Sequence, residues 1–167
     1  MSKRVPAKRI ASYGLMTALA LVLSYIEAIL PLSLGVPGAK IGLPNIIIIA
    51  VLYYMGTKPA VYISVMRIFL SGFMFGNFFA IIYSLFGFVF SMITMVILKK
   101  SGRFGMTGVS VAGGVMHNLG QLAAAAMVAG PYVMSYFPML IFTGVLAGVV
   151  IGLIGGLVSG RLWRCFK

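Results

Sequence analysis

Long apolar runs alternate with short breaks of Gly, Pro or basic residues along this 167-residue chain. The runs cover about residues 10–30, 42–56, 59–75, 78–98, 107–129 and 135–160. Most match the roughly 20 residues a helix needs to cross a hydrocarbon core about 30 Å thick. Pro31 opens an irregular stretch, Lys58-Pro59 parts the second run from the third, and Gly76-Asn77 parts the third from the fourth. The basic loop Lys99-Lys100-Ser101-Gly102-Arg103 follows the fourth run, and Gly130-Pro131 divides a charge-free stretch too long for one helix. Pro44 falls in the first turn of the short second run, where a missing N–H costs little. The pattern predicts an all-α membrane protein, a six-transmembrane-helix bundle forming one integral membrane domain over 1–167.

Composition points the same way: 8% of residues are charged, against about 25% in a soluble domain. Charge adds sidedness. Thirteen Lys and Arg stand against one acid, Glu27, for a net +12. In a soluble protein that excess suggests nucleic acid. Here the cations sit in small groups between apolar runs, with no basic face interleaved with aromatics, so the partner is the lipid bilayer and nucleic acid is excluded. With six spans, Lys3, Arg4, Lys8, Arg9, Lys58, Lys99, Lys100, Arg103, Arg161, Arg164 and Lys167 share one side, leaving Lys40 and Arg67 apart. The positive-inside rule then puts both termini in the cytoplasm and the 31–44 segment outside. Five or seven spans would scatter these cations over both faces. The first run is too long for the apolar region of a cleaved signal and reads as a membrane helix.

Each polar group inside a span asks for a reason, since an ionisable side chain at mid-bilayer costs at least about 2.5–3.5 kcal/mol. Arg67 falls near the middle of the third run; it is either an anion-binding donor at the base of a cavity or a structural partner for Glu27 and nearby carbonyls. His117, Asn118 and Gln121 cluster in the fifth run. His117 and Gln121 are one helical turn apart, and the cluster either lines a cavity or makes interhelical hydrogen bonds. On the outer side, Lys40, Asn45 and Asn77 lie beside the start of the second helix, whose free N–H groups favour anions. Irregular backbone at membrane depth is tolerated only where protein or a watery cavity surrounds it. The 32–45 stretch is thus either the rim of an outward-facing pocket or an ordinary external loop. Seven tyrosines, among them Tyr25, Tyr53 and Tyr62, are belt residues or pocket walls.

Small residues repeat at Ala7, Ala11, Gly14 and Ala18 in the first run and at Gly148, Gly152 and Gly156 in the sixth. Such ridges let helices approach closely. The second suits internal packing, whereas the first begins at the cytoplasmic surface, where a partner can reach it. No catalytic or cofactor motif stands out. There is no phosphate loop with which to hydrolyse ATP. One acid cannot assemble an Asp-rich magnesium diphosphate site, and neither the single His nor the lone Cys165 has companions for a metal site or an intramolecular disulfide.

The P-L-S-x-G-x-P-G-x-K-x-G-L-x-N pattern over 31–45, with the His117-Asn118 to Gln121 cluster in a basic six-span chain, resembles the bacterial family labelled heptaprenyl diphosphate synthase component I, also called the Gx transporter family. That family looks like the substrate-binding S components of energy-coupling factor (ECF) transporters. The resemblance implies a six-helix S-component bundle in the bacterial cytoplasmic membrane, holding a small solute near the outer face. It also implies partners in trans, a transmembrane coupling subunit and its ATPases, with Ala11, Gly14 and Ala18 as the docking ridge. Gly14 stands where an Ala-x-x-x-Ala motif would carry Ala. The alternative is a non-catalytic accessory subunit in prenyl diphosphate or quinone synthesis, or in flavin-based extracellular electron transfer.

Overall fold

A computed structural model describes residues 7–30 and 42–166, with side chains through residue 158. These residues form α1 (Ala7–Ile29), α2 (Asn45–Tyr54), α3 (Thr57–Phe75), α4 (Phe78–Ser101), α5 (Met106–Ala129) and α6 (Phe137–Phe166). A 3-10 segment, Pro131–Tyr136, leads into α6. No strand occurs among the described residues. The punctuation works as the residue types require. Asn77 caps α4 by accepting a hydrogen bond from the Ala80 N–H at 2.8 Å, and Pro131 begins the 3-10 turn, where its missing donor is harmless.

The protein is a multi-pass membrane protein. Five helical segments, Ala7–Ile29, Thr57–Phe75, Phe78–Ser101, Met106–Ala129 and Pro131–Val158, are long and apolar enough to cross a bilayer. Many of their large apolar side chains, among them Phe73, Phe78 and Leu157, are exposed on the outside of the bundle.

The second helix departs from the expectation of six spans. With 10 residues, α2 is about 15 Å long, half of what crossing requires. Its seven residues from Ile46 to Leu52 are all buried, so it is apolar on every side. It stands as a central pillar against α1, α3, α5 and α6. Gly42 lies beside Ile151, fourteen residues into α6, which puts the start of α2 about 21 Å along that helix. Its N-terminus therefore opens at mid-bundle depth.

Contacts fix the helix directions. Tyr25 and Phe75, both near C-terminal ends, meet edge-to-face at 5.6 Å, so α1 and α3 run parallel. Lys99, at the end of α4, donates to the Leu52 carbonyl near the end of α2, and its ammonium lies 5.1 Å from the centre of the Tyr53 ring. A Cβ on Gly87 would meet His117 and Gln121, and one on Gly113 would meet Met95, so α4 and α5 are antiparallel. The α5–α6 pair is antiparallel too and closer still. A Cβ at Gly148 would come within 2.5 Å of the Val111 Cα, and only glycine permits that backbone approach. Lys8, Arg9, Lys58, Lys99, Lys100 and Arg103 consequently gather at one end of the bundle, where α6 also finishes.

Candidate functional site

A cavity lies at mid-bundle depth where α1 to α5 converge around the start of α2. Its wall carries Glu27 from α1, Asn45 at the first position of α2, Arg67 from α3, and His117 and Gln121 from α5. About 60 Å3 inside is open to water-sized groups. A drug-sized ligand needs roughly 300–1,000 Å3, so the described wall encloses a few waters or one compact head group.

Local sequence explains how these groups arrive. Arg67 is ten residues into the 19-residue α3, about 15 Å from its start, on the face that also buries Ser64, Ile68 and Gly72. Gly72 leaves room for Ile81 of α4, whose Cγ1 would sit 2.1 Å from a Cβ there. Gly87 does the same for His117 and Gln121; a Cβ would come within 2.8 Å of the His117 Cε1 and 2.9 Å of the Gln121 Cγ, so these two side chains lie across α4 and close one wall.

The electrostatics centre on Glu27 and Arg67. Glu27 is half-buried, and its carboxylate accepts a hydrogen bond from the Gly42 N–H, just ahead of α2. An anion there is favoured by the positive end of the α2 dipole. Arg67 is 9% exposed and is attracted electrostatically by Glu27. Its Nε–H is buried without an acceptor among the described residues. A buried donor left unmade costs about 1–3 kcal/mol.

The remaining candidates lie elsewhere. Asn118 is buried on the other face of α5, where its amide donates to the Leu140 carbonyl at 2.8 Å and the Thr143 hydroxyl at 3.3 Å, tying α5 to α6. Asn77 is exposed and serves as the α4 cap. Lys40 and the 31–41 segment lie outside the described residues. Tyr25, Tyr62 and Tyr132 are exposed on the bundle surface. Sequence reasoning passed over Ser24, Ser71 and Ser84, which complete the polar wall. Helical spacing marks two of them: Ser24 is three residues before Glu27, and Ser71 is four after Arg67. Ser24 and Ser71 donate to Ala20 and Ile68 carbonyls of their own helices, leaving oxygen lone pairs for the cavity.

On the outer surface of α1, Ala11, Gly14 and Ala18 are exposed, and a Cβ on Gly14 would meet nothing within 4 Å. On α6, Gly148 and Gly152 pack against Val111 and Thr107 of α5 as internal packing requires. Gly156 is exposed, and a Cβ there would meet nothing within 4 Å among the described residues, so the ridge expected over Gly148, Gly152 and Gly156 packs internally only at its first two members. Among the described residues no group of three His, Cys, Asp or Glu side chains could hold a metal ion.

A family model described as heptaprenyl diphosphate synthase component I matches residues 16–158. No curated protein and no solved structure matches the chain.

Proposed function

The chain belongs to the heptaprenyl diphosphate synthase component I family, and from that premise we propose that it is a substrate-binding membrane subunit of an ECF-type uptake transporter. The observation that carries this reading is the polar cavity at mid-bundle depth, built around a buried arginine and a helix N-terminus. Ionisable residues inside a membrane bundle commonly mark a substrate pathway, and here Glu27 and Arg67 line the same cavity. The wall formed by Asn45, Arg67, His117 and Gln121 binds the solute, and Lys40 of the 31–41 segment and Asn77 stand as outer contacts. The basic end of the bundle is cytoplasmic by the positive-inside rule, so the cavity opens outward.

The exposed Ala11, Gly14 and Ala18 face supplies a second line of support. Small residues on a lipid-facing helix let another helix approach closely, which fits docking to a coupling subunit whose ATPases drive uptake. A second reading, a non-catalytic accessory subunit beside a prenyl diphosphate synthase, is favoured by the family's description. With one carboxylate in the whole sequence, the chain brings no magnesium-diphosphate chemistry of its own to either role.

The test is purification with native lipids, with mass spectrometry of co-purified small molecules and of co-purified proteins. The transporter reading expects a bound solute that Arg67→Gln loses while the bundle stays folded, and a coupling module that Gly14→Leu fails to retain. An empty protein that never associates with such a module sinks it. Loss of activity in a partner prenyl synthase on deletion of this chain would favour the second reading.

A further inference from the structure

The cavity already holds an anion, and the protein supplies it. Glu27 is the single acid of the sequence, and its carboxylate accepts from the Gly42 N–H at the start of α2. Arg67, in the same wall, is nine-tenths buried with its Nε–H unpartnered among the described residues. A backbone N–H at a helix start together with a guanidinium is the donor set a carboxylate prefers. The same two positive features disfavour a cation.

We propose that Glu27 is a tethered stand-in for the ligand: the cavity takes the carboxylate of a small solute in exchange for the Glu27 carboxylate at the Gly42 N–H and Arg67. This deepens the solute-binding reading above and rests on it. Two carboxylates cannot share one N–H and one guanidinium without strong repulsion, so they alternate. The open space of about 60 Å3 accommodates one such group. Glu27 sits two residues before the end of α1, and rotation about its side-chain bonds withdraws the carboxylate without moving the helix. With Glu27 in place the buried arginine stays neutralised and the empty site stays stable. The cost is an affinity lower than the donors alone would give.

The experiment is chemical rescue in the full-length protein in detergent micelles, with acetate as probe and thermal unfolding as readout. Glu27→Ala is expected to unfold earlier than wild type in carboxylate-free buffer. Acetate should restore it saturably, with affinity tighter than for wild type by on the order of ten-fold or more. Glu27→Gln should show the same gain without the added void, and serves where the alanine variant does not accumulate. Adding Arg67→Gln to either should abolish the response. An equal acetate response in wild type and variants, or a gain that survives Arg67→Gln, overturns the proposal. Equal rescue by chloride at matched ionic strength does so too, and a larger gain with inorganic phosphate overturns the carboxylate assignment. If wild type carries a co-purified solute while acetate fails to rescue, the stand-in role falls and the solute-binding reading stands. Rescue in a protein that never carries a solute or docks a module has the opposite meaning.

Discussion

Replacing Gly148 with alanine adds one methyl group at the closest approach of a described glycine to the backbone of another helix. Its Cβ would lie 2.5 Å from the Val111 Cα, 2.9 Å from the Ser110 carbonyl oxygen and 3.0 Å from the Val111 nitrogen. All three are backbone atoms of α5, so no side chain can swing away. Ordinary carbon contacts are about 3.5–4.0 Å, so the helices must part by about 1 Å, and a gap of that size forfeits a quarter to a half of each dispersion contact along the seam. The loss extends to neighbours, because Gly144 meets Val115 and Gly152 meets Thr107 in the same groove. Alanine recovers up to about 1 kcal/mol of helix propensity over glycine, and the overpacking cost is about 1–3 kcal/mol, more where backbone is involved. A net destabilisation of about 1–2 kcal/mol is expected, read as an earlier midpoint in detergent-driven unfolding followed by helicity. Gly14→Ala is the control: with open space around it, it should unfold no earlier than wild type. Equal midpoints for the two variants would refute the close-packed seam.

Asn118→Ala should cost about 1 kcal/mol in the same assay, since it removes the interhelical bond to Leu140 but leaves that carbonyl the Thr143 hydroxyl at 3.2 Å. Solute retention should be unchanged; a variant that loses solute at full stability would return Asn118 to the binding wall. Lys99→Met keeps the apolar stem but removes the donor to the Leu52 carbonyl and the cation over the Tyr53 ring, for about 1–2 kcal/mol. Faster hydrogen exchange at the last amides of α2 would register it, and unchanged exchange would count against the tie.

The helices were legible because breaks and runs are written in single residues. The expected span over 78–98 becomes Phe78–Ser101, and 107–129 becomes Met106–Ala129, within the fraying of helix ends. Apolar length did not reveal that α2 starts at mid-depth. The run 42–56 counts as a span by hydropathy, but only tertiary contacts with Ile151 and Glu27 set where it begins. Arg67 announced itself by its charge in an apolar run. The division of His117 from Asn118 turned on helical phase relative to neighbours: adjacent residues point about 100° apart, and whether α4 or α6 lies there is absent from a sequence pattern. The cavity serines were in reach of spacing rules, yet serine in a membrane helix usually bonds its own backbone and raises no signal.

The brevity of α2 bears on how the protein enters the membrane. A segment of ten helical residues cannot rest across a bilayer by itself, and a lipid-exposed N-terminus at mid-depth would leave backbone donors unmet. During synthesis, α1 can settle first, but α2 has no stable place until walls exist around it. Its buried apolar stretch packs against α6, the last of the described helices. The central pillar is therefore enclosed only once α6 has been made, and ribosome-bound intermediates ending before α6 should leave the 42–56 region open to quality-control proteases or to a membrane insertase.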